Sequence, residues 1–303
     1  MAMWAIESEP YDSEYRQAID AVAVLYGPVV DTEGVLTDLD LRRGAFRALT
    51  EDQRNKLRGR IRRCLRDYFK SIGDQQRKAS QYEALARRIG RGDVVVTFNY
   101  DVSLENALIR AHRFRVRNGY GGFEANWDEP DSDVRVIKVH GSINWIGALF
   151  GGGTEGCSVF SNGLGERPFV DNEDSVLPDY PRQVLDKAFP NGGVTSRSTT
   201  LVLPTYEKQY SVTTSVGVEW SSFYESLWSQ AAESLQQSDR IVIIGYSMPE
   251  ADHRARALLL WCNNKRTEVL LCCAASNEAL KRSFETHGFW RVREIGTFET
   301  AFR

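Results

Sequence analysis

The stretch that most restricts what this chain can fold into is Asp93-Val94-Val95-Val96-Thr97-Phe98-Asn99-Tyr100-Asp101. β-branched residues pack well on a pleated strand and crowd a helix, so the valines and Thr97 read as a short strand. An uninterrupted apolar run of this length is expected to be buried on both faces, as in a parallel sheet. Polar residues interrupt it at its end, and residues 102–108 then carry helical spacing. In open α/β sheets, ligands bind between the carboxyl end of a parallel strand and the helix that follows. Thr97, Asn99 and Asp101 alternate at such a place, where a core has no use for three polar side chains.

The rest of the chain repeats the strand-then-helix pattern. Residues 134–139 read as the next strand, with His140-Gly141 at its tip. Residues 199–203 read as another strand, 218–235 as an amphipathic helix, and Arg240-Ile241-Val242-Ile243-Ile244 as a central strand ending in Gly245-Tyr246-Ser247. A helix over 252–262, a strand over 268–273 and a helix over 277–286 continue the alternation. The expectation is an α/β fold, a Rossmann-like parallel sheet with helices on both faces. Residues 1–90 form a mainly helical N-terminal region in this reading, and 91–303 form the α/β domain. A loop-rich insertion falls at about 151–195, a stretch dense in Gly, Asn, Asp and Pro.

Within the N-terminal region, Thr50-Glu51-Asp52-Gln53 is a capping box. The helix it opens places Leu57, Ile61, Leu65 and Phe69 on one face. Arg54, Lys56, Arg58, Arg60, Arg62, Arg63 and Arg66 fall on the other. That basic face reads either as a docking surface or as a solvated side of an amphipathic helix. A second helix, over 76–88, delivers the chain into the Val94 strand.

A net charge of −3 offers no global attraction to nucleic acid, so direct binding to it is not expected. No apolar run approaches bilayer length, and no signal-peptide core follows Met1. The five cysteines, Cys64, Cys157, Cys262, Cys272 and Cys273, form no C-x-x-C pair, which fits a reduced, cytoplasmic setting. Cys272-Cys273 lies in an apolar strand pattern and reads as two small hydrophobes.

Thr-x-Asn-x-Asp after an apolar strand, with Val139-His140-Gly141 further on, resembles the catalytic signature of the sirtuin family. The surrounding residues are similar to one branch, the sirtuin-like NAD-consuming domains of bacterial antiphage defence proteins. Four segments carry the likeness: Phe98-Asn99-Tyr100-Asp101 with Glu105, His140 to Trp145, Pro204-Thr205-Tyr206-Glu207-Lys208, and Ile244 to Asp252. The resemblance implies a Rossmann-like fold and hydrolysis of NAD to nicotinamide and ADP-ribose. It also implies control by a homo-oligomeric state or by a partner protein of a defence system. Deacylating sirtuins carry a zinc ribbon built from two C-x-x-C pairs. This chain has none, so no metal is expected.

Breaking the bond between nicotinamide and ribose expels a neutral group while positive charge builds on the sugar. By resemblance, Asn99 binds the ribose and positions the attacking water; a neutral amide offers both donor and acceptor. Its alternative is a turn asparagine. His140 is the candidate base, since imidazole takes and returns a proton near neutrality, and its alternative is a packed structural histidine. Thr97 and Asp101 fall at the cofactor-binding end, although Asp101 reads equally as the N-cap of the next helix. Gly245 and Ser247 match the Gly-x-Ser that approaches the phosphate and ribose, and Asn277 matches an asparagine near the adenosine ribose. Lys208 and Asp252 match the branch without an assigned role. The other reading of the whole chain is a catalytically silent nucleotide-sensing or scaffolding module.

One departure is plain. Sirtuins open with a Gly-Ala-Gly-x-Ser loop that cradles the NAD phosphates at a helix N-terminus. Nothing before Asn99 reads that way, and Val22-Ala23-Val24-Leu25-Tyr26-Gly27-Pro28 is the nearest apolar stretch. The expectation is weak NAD binding by the chain alone, unless an unrecognised loop or a partner chain supplies the phosphate site.

Overall fold

The structure, a computed structural model, describes residues 32–51, 53–55, 57–59, 61–62, 65–66, 69, 80–123, 131–151, 157–158, 169–170, 193–199, 201–203, 205, 221–249, 252–261, 264–273 and 278–302. Among them the fold is mixed α/β with short parallel sheets. The chain divides into two compact units interleaved along the sequence. The first comprises Met1–Gln76, Phe98–Val102 and His140–Tyr224, and the second Arg77–Thr97, Ser103–Val139 and Glu225–Arg303.

In the first unit, α1 (Thr32–Asp40) and a 3-10 turn (Gly44–Ala48) precede helix α2, whose described residues lie within 51–69. The capping box expected at Thr50 is present. The Gln53 amide N–H donates to Thr50 Oγ1 at 3.3 Å, and the Thr50 N–H donates to Gln53 Oε1 at 2.9 Å. Leu57 and Ile61 are buried with Leu36, Leu39, Phe46 and Leu203. Leu65 and Phe69 pack on a second cluster formed by Tyr100, Val102, Ile143 and Leu201.

The expected loop-rich insertion holds an antiparallel sheet. Strand β3 (Trp145–Gly151) pairs with β4 (Cys157–Ser158), β5 (Phe169–Val170) and β6 (Gly193–Thr199). The strand expected over 199–203 is thereby corrected. β6 ends at Thr199, and Leu201, Val202 and Leu203 are core residues outside any ladder. Sequence hydrophobicity located the buried segment, but the strand belongs to the Ser- and Thr-rich residues before it.

In the second unit, α3 (Ser80–Arg88) leads to β1 (Val94–Thr97), which pairs in parallel with β2 (Arg135–Lys138) in the register Thr97↔Lys138. Between them lie α4 (Ser103–Arg110) and the short α5 (Val116–Gly119). β1 forms where expected but is not buried on both faces, since Val94 keeps 40% of its surface and the other three residues are half-buried. After α6 (Ser221–Gln237), β7 (Arg240–Ile244), α7 (His253–Trp261), β8 (Glu268–Cys272), α8 (Glu278–Thr286), β9 (Val292–Gly296) and α9 (Phe298–Ala301) follow. Their parallel sheet has the order β7-β8-β9, so β8 is central and β7, expected to be central, is not. Alternating exposure along β7, with Val242 at 42%, follows from that position. Cys272 joins Leu85 and Phe302 in a core cluster, as its apolar context implied.

A buried ion pair ties β2 to α4. Lys138 Nζ donates to Glu105 Oε1 at 2.8 Å, with both side chains almost wholly enclosed, and the Tyr120 hydroxyl donates to the same oxygen at 3.2 Å. Breaking such a pair from one side strands a charge away from water. Lys138→Met should therefore destabilise the chain by about 3–5 kcal/mol. The double variant Lys138→Met/Glu105→Leu should lose clearly less than the two single losses combined. Urea unfolding of the four proteins measures this, and additive losses would show that the pair is not coupled.

Candidate functional site

Two loops build the site in the first unit. One, Phe98–Val102, follows β1, and the other, His140–Trp145, follows β2. Tyr100 joins them. Its carbonyl accepts the Ile143 N–H at 3.0 Å and the Ser142 hydroxyl at 3.4 Å. Its phenol donates to the Val202 carbonyl at 2.6 Å, and the Val202 N–H donates back to the His140 carbonyl at 3.0 Å. Gly141 turns with φ of 87°, a left-handed conformation that glycine adopts without a Cβ clash.

His140 is buried, with only 4% of its surface accessible. Its ring lies 5.3 Å from the Phe98 ring, tilted by 53°, and 6.4 Å from the Tyr100 ring. Phe69 in turn packs on Tyr100 at 5.3 Å. Asn99, between the two aromatics in sequence, is exposed, and Asp101 is half-buried. An enclosed imidazole beside a loop presenting a solvent-facing amide can exchange a proton with a molecule that the amide holds. Helix α4 begins at Ser103, so Asp101 stands two residues before its first helical residue.

The remaining expected residues lie elsewhere in the chain's division. Thr97 ends β1 in the second unit, and its carbonyl accepts the Val139 N–H at 3.3 Å. Gly245 and Ser247, also in the second unit, are exposed in the turn after β7. Gly245 has φ of 65° and donates its N–H to Cys272 at 2.9 Å. Asp252 is buried and accepts the Tyr246 hydroxyl at 3.1 Å, and its backbone carbonyl accepts the Arg256 N–H at 2.9 Å at the start of α7. Asn277 and Lys208 lie outside the described residues.

Sequence reading missed three contributors. Phe98 and Tyr100 have no role in the sequence beyond belonging to a matched segment, yet their rings flank His140. Arg62 read as part of a basic face, but it is buried and its Nε donates to the Leu201 carbonyl at 2.9 Å, one residue from Val202. Burial pushes its guanidinium down to about 10, which leaves it charged at neutral pH. The i, i+4 spacing of Arg54, Arg58 and Arg62 was the available signal. Among the described residues, no group of three His, Cys, Asp or Glu side chains stands ready to hold a metal ion, and no helix is long and apolar enough to cross a membrane.

No protein-family model matches the chain, and no curated protein matches it.

Because the Tyr100 phenol is the bond between one loop and the Val202 segment, Tyr100→Phe leaves a buried carbonyl without its donor. A loss of about 1–3 kcal/mol is expected. Amide exchange at Ile143 and Val202 should speed up in step with that loss. Unchanged exchange at both amides would show that the phenol does not hold the loops together.

Proposed function

We propose that the chain is a sirtuin-like NAD glycohydrolase on a Rossmann-like fold, acting in the cytoplasm as an effector of antiphage defence. The single observation that carries the reading is the junction of the two motif loops. Asn99 is exposed between Phe98 and Tyr100, whose rings lie against the buried His140, and Tyr100 bonds its own loop to the one that begins at His140. NAD is the substrate. Its nicotinamide–ribose bond breaks with the electron pair leaving on the nicotinamide nitrogen, and water adds to the anomeric carbon. Asn99 orients the ribose hydroxyls and the incoming water, and His140 takes the proton that the water sheds and passes it to solvent. Phe98 and Tyr100 limit water around the imidazole, which strengthens its polar contacts with substrate. Thr97, Asp101, Gly245, Ser247 and Asn277 are assigned to binding the rest of the dinucleotide. A homo-oligomeric state or a partner protein would restrain the activity until infection.

A second reading, a silent nucleotide-sensing or scaffolding module, is favoured by the missing Gly-Ala-Gly-x-Ser sequence. Nicotinamide release from NAD by the purified chain, with no acylated peptide present, separates the two. Asn99→Ala and His140→Ala should each lower that release at least about a hundredfold with folding intact, the scale of losing a positioned catalytic group. A chelator should leave it unchanged. Wild-type turnover in either variant removes that residue from the mechanism, and no release by the native chain removes the reaction.

A further inference from the structure

Three arginines of the first unit converge on two carboxylates. Arg42 Nη2 lies 2.5 Å from Glu51 Oε2, and Arg54 Nη2 shares that same oxygen. Arg58 reaches Asp40 Oδ1 at 2.7 Å and Glu51 Oε1 at 3.3 Å. Among the described residues the cluster therefore carries one guanidinium more than its carboxylates balance. Arg54 is buried, with 2% of its surface accessible, and among the described residues its Nε–H meets no acceptor. A buried donor without an acceptor costs about 1–3 kcal/mol, more when charged, unless an absent group completes it. Burial also lowers the Arg54 pKa, with Glu51 opposing it. Arg42 holds its place with φ of 57°, a conformation that a non-glycine side chain adopts only under constraint.

The cluster stands in line with the candidate site. Arg54, Arg58 and Arg62 share one stripe of α2, about 12 Å long at the helical rise per residue. At its far end Arg62 binds the Leu201 carbonyl, and the next residue, Val202, binds His140. From these observations we infer that the Arg42-Arg54-Arg58 cluster is an anion site that takes the diphosphate of a nucleotide. The inference rests on the proposed function only for the identity of that nucleotide as NAD. Planar guanidinium groups match phosphate oxygens two at a time, so side chains here replace the backbone N–H groups of a glycine loop. Glu51 and Asp40 hold the forks in place and leave one positive charge for the ligand.

Calorimetric titration of the full chain with inorganic phosphate, inorganic pyrophosphate and ADP, at matched ionic strength, tests this. Pyrophosphate and ADP should bind and phosphate more weakly. Arg54→Gln should weaken both diphosphates about tenfold or more, the scale of a lost charge-assisted bond. Arg42→Gln, at a side chain that is 63% exposed and safe for folding, should weaken them in the same direction. Thermal unfolding of the native chain should rise with pyrophosphate and not with chloride of equal ionic strength. No binding of either diphosphate, or binding that both variants leave intact, overturns the site. Diphosphate binding through Arg54 without nicotinamide release would uphold the site and defeat the hydrolase. Release with no effect of either arginine on binding would do the reverse.

Discussion

Tyr100 is the residue on which the candidate site depends mechanically, although none of the proposed chemistry passes through it. Its carbonyl gathers the loop after β2, its phenol reaches the Val202 segment, and its ring touches both Phe69 and His140. A short loop alone would have little to hold it against conformational entropy. Anchoring it through carbonyl, phenol and ring lets Asn99 remain exposed while its neighbours are fixed, the condition under which a single amide can orient a ligand.

β1 and β2 run in parallel register. Thr97 and Lys138 stand opposite each other, so both chains reach the ends of their strands at the same level. The division of the chain falls immediately after, between Thr97 and Phe98 and between Val139 and His140. Strand and loop thus belong to different units at both crossings. The buried Lys138–Glu105 pair stands two residues before His140 and fixes the end of β2 onto α4.

Much of this was legible in the sequence where a local rule decides the outcome. The Thr50 capping box formed as its spacing required, and β7 occupies the five residues that its β-branched run marked. Long-range pairing was not legible. Lys138 is a charged residue at the end of the Arg-Val-Ile-Lys strand, and a carboxylate from α4 brings it in. Arg54 and Arg62 fall on the basic face that the sequence leaves as either a docking surface or a solvated side, yet both are buried. An arginine stem is long and apolar enough to bury when the guanidinium finds oxygen at its end. β6 was missed because Gly193-Val194-Thr195-Ser196-Arg197-Ser198-Thr199 is polar, and only its partner β3 makes it a strand. β9 carries exposed Arg293 and Glu294, which hid a short parallel strand at the sheet's edge.

Cys272 and Cys273 are neighbours in sequence with opposite chemical access. Cys272 is enclosed within the cluster around Leu85 and Phe302, and burial pushes its thiol up to about 11. Only about one molecule in ten thousand then carries a thiolate there at neutral pH, and thiolate is the form that alkylating reagents and peroxides attack. Cys273, at the end of the strand, is only half-covered. The central strand of the parallel sheet therefore ends in a silent sulfur followed by an accessible one. Modification of the silent one records an opening of the sheet itself, so a mass label at Cys272 serves as an internal clock for how often that sheet breathes.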